Sequence, residues 1–191
     1  MSIGRRFTSA DLEQLPDIEG TRYEIIDGEL HVSKQPHWAH QYACNQAAYA
    51  LEQWNGRTEA GIVLSAPGLV FADDDDVAPD VVWISRERLA AALDDAGHLG
   101  AAPELVVEVL SPGVANERRD REAKLALYSR QGVEEYWIVD WRNRSVQVYR
   151  REDGGLHPIV SLGGGDALTS SLLPGFSCPI ARLWAPAVGR A

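Results

Sequence analysis

The stretch PELVVEVLSPG, residues 103–113, reads as a strand running into a turn, with one charge in its middle. Leu105, Val106, Val107 and Val109 suit a sheet interior covered on both faces, and Ser111-Pro112-Gly113 breaks the run. Glu108 interrupts it. A lone carboxylate is costly to desolvate there unless a partner or a cation compensates it.

Working outward, the segment 117–132 has the apolar spacing of a helix, with Asn116 as the expected N-cap and Gly132 at its end. Lys124 and Tyr128 share one stripe of it, and Ala123, Ala126 and Leu127 form the apolar face. A helix that starts just past the Glu108 strand packs on the same sheet, so its lysine can overhang the strand's carboxylates, although by position alone a lysine snorkelling from an amphipathic helix is the stronger reading. The lysine is unusual here, because Lys34 and Lys124 are the two lysines among 18 basic residues. Lysine supplies a compact, mobile ammonium that arginine does not imitate.

Upstream, APDVVWIS (78–85) reads as a strand beginning at Asp80. Side chains alternate along a strand, so Asp80, Val82 and Ile84 share a face, as do Glu104, Val106, Glu108 and Leu110. Opposed positions on neighbouring strands have Cβ atoms about 5 Å apart, close enough for both carboxylates to reach one small cation. Without a cation they repel, and one takes up a proton. The structural alternative is that Asp80 merely starts its strand while Glu108 pairs with Arg118 or Arg119.

The remaining chain gives a short helix around residues 8–15 and a hairpin over 23–32 about Asp27-Gly28. A helix is expected from His37 to about Trp54, stopped by Asn55-Gly56. Strands follow at 61–65, 68–72 and 80–84, the last two separated by the acidic turn Asp73–Asp76. A helix over 85–97 closes at Gly97, and strands recur at 134–140, 145–150 and 156–162. The tail packs across the core. With 191 residues, 45% hydrophobic, one α/β domain over 1–191 is expected.

Composition narrows the functions. The net charge of −10 argues against broad attraction to nucleic acid but allows a local basic groove. No apolar run approaches the length of a membrane span. The opening MSIGRRFTSADLEQLPD has basic residues without the apolar core of a secretory leader, so a cytoplasmic protein with Cys44 and Cys178 as reduced thiols is expected. His37 and His40, at i and i+3, lack a marked third ligand and suit a role at the helix start. Asp73–Asp76 lacks the glycine and glutamate of a calcium loop and suits a solvated turn. Arg118, Arg119 and Arg121 alternate with acids, as on an ion-paired helix surface.

The order Pro79-Asp80, Glu108 in ELVVEVLSP, then Lys124 and Tyr128 in KLALYSRQGVEEYWIVD resembles the Uma-type restriction-endonuclease family of the PD-(D/E)XK superfamily. YEIIDGEL, PHWAHQ and LLPGF look like further signatures of that family, so the resemblance covers nearly the whole chain. It implies a restriction-endonuclease-like core, a mixed β-sheet flanked by helices in the order α-β-β-β-α-β, with an N-terminal hairpin and extra C-terminal strands. It also implies hydrolysis of DNA phosphodiesters assisted by Mg²⁺ or Mn²⁺. By the same resemblance Asp80, Glu108 and the Val109 carbonyl ligate the metal, Lys124 orients water and stabilises charge, Glu24 completes the pocket, and His40 lines the cleft. The chain departs from the superfamily pattern at Leu110, where the lysine usually stands. Lys124 on the next helix takes its place.

Two other functions compete. A nuclease fold without turnover, binding nucleic acid or protein, fits the negative charge and the displaced lysine. A two-carboxylate glycoside hydrolase fits Asp80 and Glu108 but lacks a run of exposed aromatics for sugar. A double-strand cut usually needs two sites, which a homodimer would supply.

Overall fold

The computed structural model describes residues 5–187. Its centre is a six-stranded sheet in the order β10-β9-β8-β7-β6-β3. These strands are β3 (Gly61–Ser65), β6 (Val81–Ser85), β7 (Leu105–Val109), β8 (Glu135–Asp140), β9 (Ser145–Glu152) and β10 (Gly155–Gly163). Neighbours are antiparallel except β7 and β8, which run parallel. A parallel pair needs a crossover. Here it consists of α4 (Val114–Arg118), a π-helical turn (Arg119–Ala123) and α5 (Lys124–Gln131).

Every residue of β7 and β8 is buried, which is why their sequences are apolar without alternation. Alternation survives in the two cores they serve. Val81, Trp83, Val107, Val109 and Trp137 face α2 (Trp38–Thr58) and the C-terminal segment. Val82, Ile84, Val106, Leu110 and Ile138 face Leu127 and Tyr128 of α5. The tail folds as the pair β11 (Ala167–Thr169) and β12 (Ser177–Pro179), and it adds Leu173, Phe176 and Ile180 to the first core. Cys44 and Cys178 are both buried free thiols.

The expected α-β-β-β-α-β core is α2-β3-β6-β7-α5-β8. Between β3 and β6 the chain leaves for a second sheet, ordered β2-β1-β5-β4. It contains the hairpin β1 (Thr21–Ile26) and β2 (Glu29–Lys34), with β4 (Leu69–Ala72) and β5 (Asp75–Val77). Asp27 and Gly28 both have positive φ, 51° and 75°, as the tight hairpin turn requires.

Four local expectations are corrected. Helix α2 passes through Asn55-Gly56 to Thr58 and ends on Glu59 at φ 49°. Asn55 is a buried tether: its amide donates to the Gly61 carbonyl at 2.9 Å and accepts from Gly61 N–H at 3.0 Å and Trp83 Nε1–H at 3.1 Å. The crossover begins at Val114, and Asn116 donates its side chain back to the Pro112 carbonyl at 2.7 Å. Helix α3 (Arg86–Ala92) stops before Gly97, because Asp94 captures the backbone of Ala96 and His98 into a turn. The acidic run is only partly a solvated turn. Asp75 begins β5, is buried, accepts from Asp27 N–H at 2.9 Å and pairs with Arg130 at 2.9 Å.

Asn55→Ala strips the acceptor from two buried donors, and its expected cost is about 1–3 kcal/mol. Chemical denaturation of the purified variant measures this, and a wild-type midpoint would remove the tether from the account.

Candidate active site

The β6–β7 register pairs Val81 with Val107 and Val82 with Val106. One residue further along the same register, Asp80 lies across from Glu108. Asp80 Oδ2 accepts from the Val109 N–H at 2.8 Å and lies 3.4 Å from His40 Nε2. Among the described residues its Oδ1 has the Arg22 guanidinium as its ion-pair neighbour, at 3.9 Å.

Glu108 is 3% exposed. Lys124 Nζ and the Tyr128 hydroxyl both donate to its Oε1, each at 2.8 Å. Its Oε2 has no hydrogen-bond donor among the described residues. The i, i+4 spacing on α5 sets these two donors on one face. The π turn before Lys124 inserts an extra residue into the helix and rotates α5 relative to α4.

Glu24, on β1, closes the cluster from the hairpin side. Its Oε1 accepts from Lys124 Nζ at 2.8 Å and from Ala78 N–H at 3.0 Å, and Arg119 lies 3.6 Å from Oε2. Arg119 is itself held by Asp120 at 2.8 Å. Among the described residues neither arginine pairs with Glu108: Arg119 serves Glu24, and Arg118 pairs with Glu122 on the surface. A cavity of about 220 Å³ opens on Asp80, Glu108, Val109, Lys124, Glu24 and His40. The structure therefore brings Asp80, Glu108, Val109, Lys124, Glu24 and His40 to one cavity.

Charge distribution in the cluster follows from burial and partners. Burial pushes the Glu108 carboxyl up, the nearby Asp80, Asp120 and Glu24 charges add to this, and Lys124 only partly offsets it, leaving it at about 8. Burial also acts against ionisation of Glu24, but Lys124 and Arg119 outweigh it and hold that carboxyl below the usual range. Burial alone would lower the Lys124 ammonium, yet Glu108, Glu24 and Asp120 raise it above its ordinary value. Asp80 ends below its ordinary value: His40, the Val109 N–H and Lys124 overcome the cost of burial. Partners thus favour the ionised forms of Glu24, Lys124 and Asp80, while burial works against ionisation of Glu108.

A carboxyl raised in the folded state holds a proton that the unfolded chain releases. The stability this contributes is full below its ordinary value of 4.5 and is lost as pH rises to about 8. In a chelator, the melting temperature is expected to fall across that window, and Glu108→Gln is expected to remove that part of the slope. Parallel melting curves for the two proteins would expose the opposite result.

The donor set fits a hard divalent ion. Among the described residues Asp80 Oδ1 and Glu108 Oε2 have no hydrogen-bond donor, and both side chains line the same cavity. A different group is also assembled. His40, Cys44 and Asp80 offer three donor atoms that all lie within 4.8 Å of one another. Cys44 Sγ lies 3.4 Å from His40 Nδ1, and burial raises its thiol. By sequence Cys44 is a reduced thiol outside any metal-ligand spacing. Its signal was the i, i+4 spacing from His40 on one helix face. His37, by contrast, caps α2 by accepting from Ala39 N–H and stacks on Trp141.

A family model described as "Uma2: Putative restriction endonuclease" matches residues 9–181. The chain belongs to the Uma2 family. Its fold is also that of a crystal structure described as a putative nuclease belonging to DUF820 from Anabaena variabilis, with a TM-score of 0.73 and 18% identity. That similarity covers 93% of this chain and 97% of the other. The mixed sheet flanked by helices is therefore a nuclease-like Uma2 fold. No curated protein matches the chain. Among the described residues no helix is long and apolar enough to cross a membrane.

Proposed function

We propose that this Uma2 chain is a divalent-metal-dependent endonuclease that hydrolyses DNA phosphodiesters, with Mg²⁺ or Mn²⁺ held by Asp80, Glu108 and the Val109 carbonyl. The observation that carries the reading is the juxtaposition of Asp80 and Glu108 across β6 and β7 with Lys124 against Glu108. A bound divalent ion would make water a nucleophile near neutral pH and polarise the phosphoryl oxygen.

The chain's own residues do the positioning. His40 and the Val109 N–H fix Asp80. Tyr128 and Lys124 fix Glu108. Glu24 and Ala78 fix the hairpin over the site, and Glu24 keeps the Lys124 ammonium charged. An ammonium held beside the reacting centre meets charge developing on the scissile phosphate at little reorganisation cost. Arg22 and Arg119 also line the cavity and offset the repulsion between its acids and a polyanion. We place the chain in the cytoplasm as one domain, and a homodimer would supply the second cut of a duplex.

A nuclease fold that binds nucleic acid or protein without turnover is the second reading. It is favoured by the pairing of Lys124 with two carboxylates at 2.8 Å each, which leaves the ammonium less free for phosphate. Incubation of single-stranded, duplex and branched DNA with the protein in Mg²⁺ or Mn²⁺ separates the two. Cleavage that stops in a chelator is expected, and intact substrates throughout would select the second reading.

A further inference from the structure

The hollow that holds the carboxylates does not end with them. Lys34, Gln35 and Pro36 wall both that cavity and a second cleft that reaches Ser111 and Asn116. His37 walls the second cleft and a third, of about 400 Å³, bounded by Trp38, Trp141, Trp184, Arg142 and Arg144. Shared walls set the three side by side along one face.

The composition of the two outer clefts is unlike the rest of the chain. Among the described residues neither outer cleft has an Asp or Glu in its lining, although the chain carries 28 acidic residues against 18 basic. Three of the six tryptophans gather in the third cleft, while Trp54, Trp83 and Trp137 are buried in the core. Trp38 is 52% exposed. Beside it His37 stacks on Trp141 at 4.8 Å and 11°, which sets an aromatic floor. Arg142 is held by Glu117 at 2.6 Å. Lys34 and Arg144 are exposed and have no ion-pair partner among the described residues.

An exposed aromatic face flanked by cations and free of carboxylates suits one ligand chemistry, a nucleobase with its phosphates. A base inside an intact duplex is already stacked and offers no face. We propose that the Trp38–Trp141–Trp184 cleft takes an unpaired nucleobase of the strand being cut, with Trp38 stacking on the base and Lys34 and Arg144 meeting the adjoining phosphates. The substrate is then a single strand or a locally opened duplex. The proposal deepens the nuclease reading and rests on it for the chemistry of the adjoining cavity.

Fluorescence anisotropy of the full chain in a chelator tests the cleft without requiring cleavage. The probes are a short fluorescein-labelled oligothymidylate, an abasic strand of the same length, a duplex, and oligouridylate. Trp38→Ala is expected to weaken oligothymidylate binding at least about five-fold and Trp38→Phe to retain most of it, since stacking needs a ring. The abasic strand and the duplex should not respond to either. Lys34→Ala and Arg144→Ala should weaken the base-bearing and abasic strands alike and lower the salt slope by about 0.7 each. A larger Trp38→Ala loss on oligouridylate would assign the occupant to RNA.

Equal effects of Trp38→Ala on base-bearing and abasic strands would overturn the proposal, as would wild-type binding by a folded Trp38→Ala protein. Cleavage assays keep the two readings apart. Trp38-dependent strand binding without cutting retains the cleft and removes the nuclease. Cutting with no role for Trp38 does the reverse.

Discussion

The Asp80→Asn protein is expected to fold, to bind DNA, and to cut it on the order of 10³-fold more slowly than the wild type. The amide is close in shape to the carboxylate, and its oxygen can still accept from the Val109 N–H, which sits 2.8 Å from Asp80 Oδ2. The negative charge that faces the cavity is lost, and with it the affinity for a hard cation. Titration calorimetry with Mn²⁺ should show the same loss, and Glu108→Gln should reproduce both effects. Cys44→Ser separates the two donor groups at Asp80. If Asp80, Glu108 and Val109 hold the ion, Mn²⁺ affinity and cleavage both survive that change. If His40, Cys44 and Asp80 hold it, both fall. A wild-type cutting rate for Asp80→Asn would remove the carboxylate from the chemistry altogether.

The second large effect concerns Lys124, which is 1% exposed and stands 2.8 Å from both Glu24 and Glu108. Removing one partner from a buried ionic cluster typically costs about 3–5 kcal/mol, because the other charge is left uncompensated. For a chain of this size the Lys124→Met melting temperature should fall on the order of 10 °C, and cleavage should vanish with it. The double variant Glu24→Gln/Lys124→Met takes away the stranded charge and should recover much of the stability. Its cutting rate decides what the lysine does. If Lys124 only anchors Glu24 and the hairpin, stability and cleavage return together. If it stabilises charge on the phosphate, stability returns alone. A Lys124→Met protein that melts and cuts like the wild type would end both accounts.

Much of this arrangement is legible before folding is considered. The valine-rich run with Glu108 in it, the Asp80 strand start and the Lys124–Tyr128 stripe are local patterns with fixed periods, and those periods determine which side chains share a face. They give the order of strands and helices, the family resemblance implies the mixed sheet, and the β7–β8 crossover of the observed fold carries the lysine. Asp27-Gly28 similarly dictates its hairpin, because few residue pairs accept two positive φ values.

Where local chemistry and tertiary demand conflict, the sequence misleads. Asn55-Gly56 carries a stop signal, yet Asn55 is recruited to Gly61 and Trp83, and the helix runs on. Asp75 sits in an acidic run that reads as a solvated turn, yet Arg130, 55 residues away, draws it into a buried strand. The π turn at Arg119–Ala123 has no signature in the helical period, and it sets how α5 is turned toward Glu108.

The sequence by itself determined which residues share a strand face with Asp80 and with Glu108, the Lys124–Tyr128 stripe and the tight hairpin, because strand alternation, helical spacing and turn geometry operate over a few residues. Only the tertiary structure decided that Arg119 braces Glu24, that Cys44 lies beside His40 and Asp80, and that three tryptophans wall the cleft bounded by Arg142 and Arg144. Those placements come from elements far apart in the chain that pack together to bury apolar surface, and no local period records which polar groups such packing brings face to face.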